Sequence, residues 1–180
     1  MTTQTMRVLA VGALVLAQPA AAAAAAAQQR GTMEVGGFTR YVNFDNGLGM
    51  GNALAVGAGA TVYLGSRLTL DVDVAHATSN SVSYTPVHLR LVDRVHVGGG
   101  NRLEALFGIG YVRNWYGAPY QQSDGGVSVV LGLGYQLNGR LWLRGGLDLD
   151  AMFHAGENSP FPFYNGNWGL RVGLGLPFNR

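Results

Sequence analysis

From Thr32 onward, almost every segment of the chain alternates apolar side chains with small or polar ones. Successive side chains of a strand point to opposite sides of a sheet, so a two-residue period is typical of strands with two unlike faces. One row of alternate positions is apolar throughout, as at Leu54, Val56 and Val62, whereas the other is glycine interleaved with charge, as at Asp71. No segment has helical spacing. The alternation therefore predicts an all-β protein.

The alternating segments number eight. An even number of antiparallel strands can close into an up-and-down barrel with both chain ends on one side. The sequence therefore predicts an eight-stranded antiparallel up-and-down transmembrane β-barrel. The predicted strands are 32–44, 53–64, 68–78, 84–97, 103–116, 126–137, 141–153 and 167–178.

The predicted connections alternate in length. Tight turns are expected at 65–67, 98–100 and 137–139, and longer loops at 45–52, 79–83, 117–125 and 154–166. Outer-membrane barrels show this asymmetry, with the short turns on the periplasmic side. Tyr135 and Leu141 can share a face only if the Asn138-Gly139 hairpin has an odd-numbered loop, which predicts a type I turn with a glycine bulge.

Alternation alone does not distinguish a membrane barrel from a soluble lipid carrier, whose apolar row would face inward. The glycines favour the membrane barrel. Glycine weakens a solvated strand face, whereas the narrow lumen of eight strands needs small side chains beside large ones. The glycine and charged row is therefore predicted to face the lumen and the apolar row to face lipid.

Aromatic residues near strand ends are predicted to form two interfacial girdles. The loop-side girdle would contain Tyr41, Phe44, Tyr84, Tyr111, Trp115, Phe153 and Trp168, and the turn-side girdle Tyr135 and Phe178.

Four residues break the alternation of apolar and polar rows. Asp93 and Arg113 fall on the lipid row, and Tyr63 and Trp142 on the lumen row, which predicts interfacial positions or local bulges. The facing of the first strand stays open.

The N-terminus has the three-part layout of a secretory signal peptide. Arg7 supplies one positive charge, an apolar run covers 8–17, and alanines fill 20–27. Cleavage after Ala27 is expected, which gives a signal peptide over 1–27 and a barrel domain over 28–180.

The 12 basic residues, all Arg, nearly balance 10 acidic ones, so no nucleic-acid partner is implied. The absence of Cys excludes disulfides and Cys-ligated metals.

The last strand, from Trp168 through alternating apolar residues to Phe178, looks like the C-terminal assembly signal of outer-membrane proteins. Over about residues 32 to 178, the chain resembles the small outer-membrane β-barrel superfamily that includes the OmpA transmembrane domain and OmpX-like proteins. The resemblance implies location in the bacterial outer membrane. It also implies contact with outer-membrane lipids, lipopolysaccharide and the assembly machinery. Pro177 and the trailing Asn179-Arg180 depart from the usual signal.

The predicted lumen row carries enough charge of both signs to form an ion-pair network. The turns would set Arg94 opposite Glu104 and Asp73 opposite Arg90 across neighbouring strands. The network is completed by Asp71, Arg144, Asp148, Asp150 and Arg171. Such a network could be a structural plug or part of a gate or proton path.

Catalytic motifs are weak. The run from His76 to Ser79 is similar to the His-x-Ser-Asn motif of outer-membrane lipid A deacylases, but the extra residue sends the two side chains to opposite faces of a strand. His76, His88, His96 and His154 have no metal-ligand spacing. We therefore expect no catalytic, metal or cofactor residues.

The longest predicted loop, 154–166, is aromatic at Phe161, Phe163 and Tyr164, which could contact a surface ligand or fold back as girdle. Three functions stay open: a structural or surface-interaction protein, a lipid-modifying enzyme, and a narrow channel.

Overall fold

The computed structural model describes residues 31–44, 50–99, 102–118, 121–138, 140–153 and 166–178. No helix in these segments is long and apolar enough to cross a membrane. Eight strands make up most of the described chain. They are β1 (Met33–Asn43), β2 (Ala53–Tyr63), β3 (Leu68–Ser79), β4 (Val82–His96), β5 (Leu103–Tyr116), β6 (Gln122–Gln136), β7 (Trp142–Met152) and β8 (Gly166–Phe178).

The strands close into a barrel in which each strand pairs antiparallel with its sequence neighbours and β8 pairs with β1. The closing ladder runs from Met33 opposite Phe178 to Asn43 opposite Trp168. Closure leaves no sheet edge with unpaired backbone groups, which is what a β-structure in lipid requires. The predicted fold is confirmed. The strand ends agree to within two residues, except that β6 starts at Gln122, four residues earlier than predicted.

The connection between β3 and β4 is shorter than predicted. It is a two-residue turn at Asn80 and Ser81, whose φ angles are 48° and 66°. Positive φ at both central residues is the signature of a type I′ turn, which matches the right-handed twist of the flanking strands. The loop predicted at 79–83 is therefore wrong, because polar residues there belong to the strands.

The hairpin between β6 and β7 has the predicted odd-numbered loop. Gln136 lies opposite Trp142, and the backbone N of Leu137 donates to the carbonyl O of Leu141 at 2.9 Å. Asn138 supports the turn with its side chain, whose Oδ1 accepts from the backbone N of Arg140 at 3.0 Å. The turn type depends on Gly139, which lies outside the described residues.

The two rows face as predicted. The apolar row lies on the outer surface, with Leu54 66% and Leu133 59% exposed, whereas Ser128 and Asp148 on the other row are fully buried. This is the reverse of a soluble lipid carrier. A continuous apolar outer surface of this extent is expected of a protein whose solvent is lipid.

The lumen glycines make room for large neighbours. A Cβ on Gly134 would lie 2.5 Å from Oε1 of Glu104, and one on Gly169 would lie 2.6 Å from Nε of Arg40. Both distances are too short for atoms that do not bond. The alternation of glycine with charge along the lumen row therefore follows from the width of the barrel.

Seven of the nine aromatic residues predicted for the girdles face outward, as a girdle requires, and two do not. Tyr41 and Trp168 lie side by side on the outer surface, with ring centroids 5.9 Å apart. Phe44 and Tyr84 instead point into the barrel and are almost fully buried.

The four residues that break the alternation need no bulge, because the ladders run without interruption past each of them. Asp93 faces outward near the turn end of β4, and Arg113 faces outward near the loop end of β5, so both fit interfacial positions. Tyr63 and Trp142 are buried in the turn end of the lumen.

Candidate functional site

The loop end of the lumen is filled by an apolar plug, made of Val42, Phe44, Met50, Tyr84 and Tyr116 together with small residues of β2 and β3. The Phe44 and Tyr84 rings meet edge to face at 4.8 Å, and Tyr84 is 5.5 Å from Tyr116. The Tyr84 hydroxyl donates to Oδ1 of Asn114 at 3.2 Å. None of the residues that form the plug is charged.

Beneath the plug lies a central cluster of ion pairs, which consists of Arg40, Asp73, His88, Arg90, Asp148 and Asp150. Arg40 binds Asp150 at 2.6 Å and Asp148 at 3.3 Å, and Arg90 binds Asp148 at 2.6 Å and also Asp73. All six side chains are at most 8% exposed. Burial of charge on this scale is tolerated only when each group is paired with good geometry.

His88 bridges two carboxylates of the central cluster. Its Nδ1 is 2.8 Å from Oδ1 of Asp73, and its Nε2 is 3.3 Å from Oδ2 of Asp150. The Asp150 carboxylate also accepts a 2.6 Å hydrogen bond from Arg40 and a 2.7 Å one from Ser128. The imidazole therefore joins pairs contributed by β3 and β7 into one network.

A turn-side cluster follows, which consists of Glu34, Asp71, Arg94, Glu104 and Arg144. Arg94 binds Asp71 at 2.9 Å and Glu104 at 3.3 Å, and Arg144 binds Glu104 at 2.6 Å and also Glu34.

Two aromatic residues contact the arginines at the turn end of the lumen. The Arg144 guanidinium lies 5.1 Å from the centre of the Trp142 ring, and that of Arg94 lies 5.6 Å from the centre of the Tyr63 ring. Both distances are within the range of a cation–π contact.

Arg171 connects the central cluster to the cavity below it. Its NH1 lies 3.1 Å from Oδ2 of Asp73, and its guanidinium lies 5.6 Å from the centre of the Phe38 ring. The adjoining cavity of about 90 Å³ is lined by charged residues that include Arg94, Arg144 and Arg171. A polar cavity of this volume can hold ordered water.

The two predicted ion pairs form, but across the diagonal instead of directly. His96, not Arg94, lies opposite Glu104, and His88, not Arg90, lies opposite Asp73. The two-residue turn at Asn80 and Ser81 shifts the β3–β4 register, and the long guanidinium side chains still reach a diagonal partner.

The nine charged residues predicted for the network all face the lumen. They are Asp71, Asp73, Arg90, Arg94, Glu104, Arg144, Asp148, Asp150 and Arg171. Glu34, Arg40 and His88 also belong to the network. Glu34 and Arg40 were not predicted from the sequence because the facing of β1 was open, and His88 was not assigned to the network. One feature of the sequence could have indicated this facing. Glu34 and Arg40 are an even number of residues apart, so both charged side chains lie on the same row of β1.

The arrangement is built to neutralise charge inside a narrow space. With Arg171, the two clusters contain five guanidinium groups and six carboxylates, and each of these charges lies within 4 Å of an opposite one. Among the described residues, no group of three or more His, Asp or Glu side chains could hold a metal ion. The lumen chemistry visible here is ion pairing.

The two residues compared with a deacylase motif lie on opposite faces, as predicted. His76 is exposed on the outer surface, whereas Ser79 is buried and donates its hydroxyl to the carbonyl O of Gly51 at 2.6 Å. They do not form a nucleophile and base pair. The aromatic loop residues Phe161, Phe163 and Tyr164 lie outside the described residues.

Comparison with known proteins gives a likeness of fold alone. No protein-family model and no curated protein sequence matches the chain. The N-terminal β-barrel domain of Pseudomonas aeruginosa OprF superimposes with a TM-score of 0.61 and 16% identity, covering 84% of this chain and 100% of that one.

Two other solved structures are similar. Neisserial surface protein A gives a TM-score of 0.61 at 12% identity over 82% of this chain and 96% of its own. The outer membrane protein OprG from Pseudomonas aeruginosa gives 0.57 at 15% identity over 84% and 98%. The predicted resemblance is confirmed for the fold: the chain forms a closed eight-stranded antiparallel barrel similar to those of these three outer-membrane proteins.

Proposed function

We propose that this protein is a resident of the bacterial outer membrane with a structural or surface-interaction role, and that its lumen is closed to solutes. The observation that supports this most is the filling of the lumen in three layers: the apolar plug, the central cluster and the turn-side cluster. An eight-stranded barrel has space for little besides its own side chains. The protein would act through its surfaces.

Export and assembly are part of the proposal. A signal peptide over 1–27 would direct the chain to the periplasm, and β8, ending at Phe178, would be recognised by the assembly machinery. The short turns would then face the periplasm and the longer loops the cell exterior, in contact with lipopolysaccharide. Phe161, Phe163 and Tyr164 are candidate contacts for a surface ligand.

A narrow channel is the second candidate, because the cavity beside Arg94, Arg144 and Arg171 gives the turn-side half of the lumen some free volume. The plug and the central cluster stand between that cavity and the loop end. A lipid-modifying enzyme has less support, because His76 and Ser79 face opposite ways.

Liposome swelling distinguishes a closed barrel from a pore for solutes. Vesicles that contain the refolded protein should swell in arabinose no faster than empty vesicles, and a porin should swell rapidly in parallel. Swelling at a rate that rises with the amount of protein would contradict the closed lumen. Lipid A species extracted from cells with and without the protein test the enzyme alternative, and identical species are expected.

A further inference from the structure

A patch of polar side chains interrupts the apolar outer surface near the loop ends of β3 to β6. We call it the rim patch, and it consists of His76, Thr85, Arg113 and Ser123. Nδ1 of His76 lies 3.0 Å from Oγ1 of Thr85, and NH2 of Arg113 donates to Oγ of Ser123 at 2.6 Å. Arg113 and Thr85 are diagonal neighbours, since Val87 lies opposite Arg113 and Thr85 opposite Trp115.

The guanidinium of Arg113 has no acidic partner on this surface. On the outward row of the described strands, the one carboxylate is Asp93, which lies near the turn end and binds Arg67 at 2.6 Å. No carboxylate of the described residues lies within 4 Å of Arg113. An arginine on a lipid-facing surface is costly unless it reaches the interface or binds an anion there.

Arg113 lies among outward aromatic residues near the loop end of β5. Tyr111 and Trp115 flank it on the same outward row of β5 and are 43% and 46% exposed. Outward aromatic residues near strand ends occupy the membrane interface, where headgroup phosphates lie. A guanidinium can bind a phosphate through two parallel hydrogen bonds, and the serine hydroxyl holds it in place for that contact.

We propose that the rim patch binds a phosphate group of lipid A from the lipopolysaccharide of the extracellular leaflet. This inference rests on the proposed function, which places the loop side outside the cell. Arg113 supplies the charge, Ser123 orients it, and the His76–Thr85 pair adds polar contacts for the sugar or phosphate. The acyl chains would lie against the apolar surface below, at Ile109 and Leu89.

Native mass spectrometry of the refolded full-length barrel in detergent micelles tests this with hexa-acylated lipid A that bears both phosphates. Arg113→Gln should weaken binding at least about tenfold, which is about 1.4 kcal/mol, and Arg113→Lys should retain most of it. The matched control is Arg67→Gln, which removes the outward arginine at the opposite rim and should bind as wild type. Heat-modifiable migration in gels verifies that each variant is folded.

Two further probes identify the source of the phosphate. Dephosphorylated lipid A should bind weakly to wild-type protein and equally weakly to Arg113→Gln. Phosphatidylglycerol should bind more weakly than lipid A and respond less to Arg113→Gln. The proposal is overturned if wild-type protein does not retain lipid A, if phosphatidylglycerol binds as well, or if Arg113→Gln and Arg67→Gln behave alike. Failure of the closed lumen would appear in liposome swelling, which Arg113→Gln should leave unchanged.

Discussion

Removing Arg144 should destabilise the barrel because it leaves a carboxylate in the lumen without a counter-charge. Among the described residues, Arg144 is the one ion-pair partner of Glu34, whose side chain is 5% exposed, whereas Glu104 keeps Arg94 at 3.3 Å. Breaking a buried pair from one side typically costs about 3–5 kcal/mol. Water in the adjoining cavity would screen part of this charge, so Arg144→Met should cost about 3 kcal/mol.

A double-mutant cycle separates lost ion pairing from lost packing. Adding Glu34→Gln to Arg144→Met removes the stranded charge and should restore about 2 kcal/mol, within the range of coupling between residues in contact. Arg67→Met is the matched control, because its pair with Asp93 lies on the outer surface with the two side chains 41% and 36% exposed. Such a pair contributes at most about 1 kcal/mol.

The assay is urea titration of the refolded protein in phospholipid vesicles, followed by tryptophan fluorescence and by gel migration with and without heating. The reasoning is refuted if Arg144→Met costs no more than Arg67→Met. It is also refuted if the two changes at Arg144 and Glu34 are simply additive, because the charges would then not interact.

Three further outcomes follow from the same structure. Leu131→Arg places a charge on the lipid-facing surface and should cost roughly 2–4 kcal/mol in the urea titration, whereas Leu131→Met should be nearly neutral; similar effects would contradict the facing. Gly134→Ala sets a Cβ against Glu104 and should lower the free energy of unfolding by about 1–3 kcal/mol. Gly65→Ala places its Cβ in open space and should lower it by less than about 1 kcal/mol. Equal losses would contradict the space-filling account of the lumen. Intact-mass analysis of protein from purified outer membranes should give a mature N-terminus at Gln28, and a product that retains Met1 would disprove cleavage.

The parts of the fold predicted from the sequence are those that a period of two determines. Every outward residue is apolar over 68–74 of β3, 127–135 of β6 and 168–178 of β8. The strand count, the facing, and the lumen position of Asp73 and Arg171 therefore follow from the pattern. The lumen facing of the glycines was also predictable, because a narrow lumen needs small residues beside large side chains.

The first strand shows where alternation fails. Phe38 and Val42 are apolar but face the lumen, because Phe38 packs against the apolar plug and Val42 belongs to it. Val35 and Tyr41 on the opposite row are apolar because they face outward. With apolar residues on both rows, the pattern could not assign Glu34 and Arg40 to the lumen.

Turn geometry limited the prediction of individual ion pairs. Asn80 and Ser81 look like part of a polar loop, and only their positive φ angles reveal the two-residue turn that sets the β3–β4 register. A shift of register by two keeps every side chain on its face, so the network survives while its direct partners change. The side of the sheet that each side chain faces was therefore predictable from the sequence. Which two residues lie directly opposite each other on neighbouring strands was not.

Single-channel recording in planar lipid bilayers tests the central claim most directly, that the layers of the lumen close the barrel. Wild-type protein should give no large, steady conductance steps, and Arg144→Met should lose stability before it gains conductance, because the central cluster and the plug remain in place. Large, steady steps from wild-type protein would contradict the account. A pore opened by Arg144→Met at undiminished stability would contradict it equally.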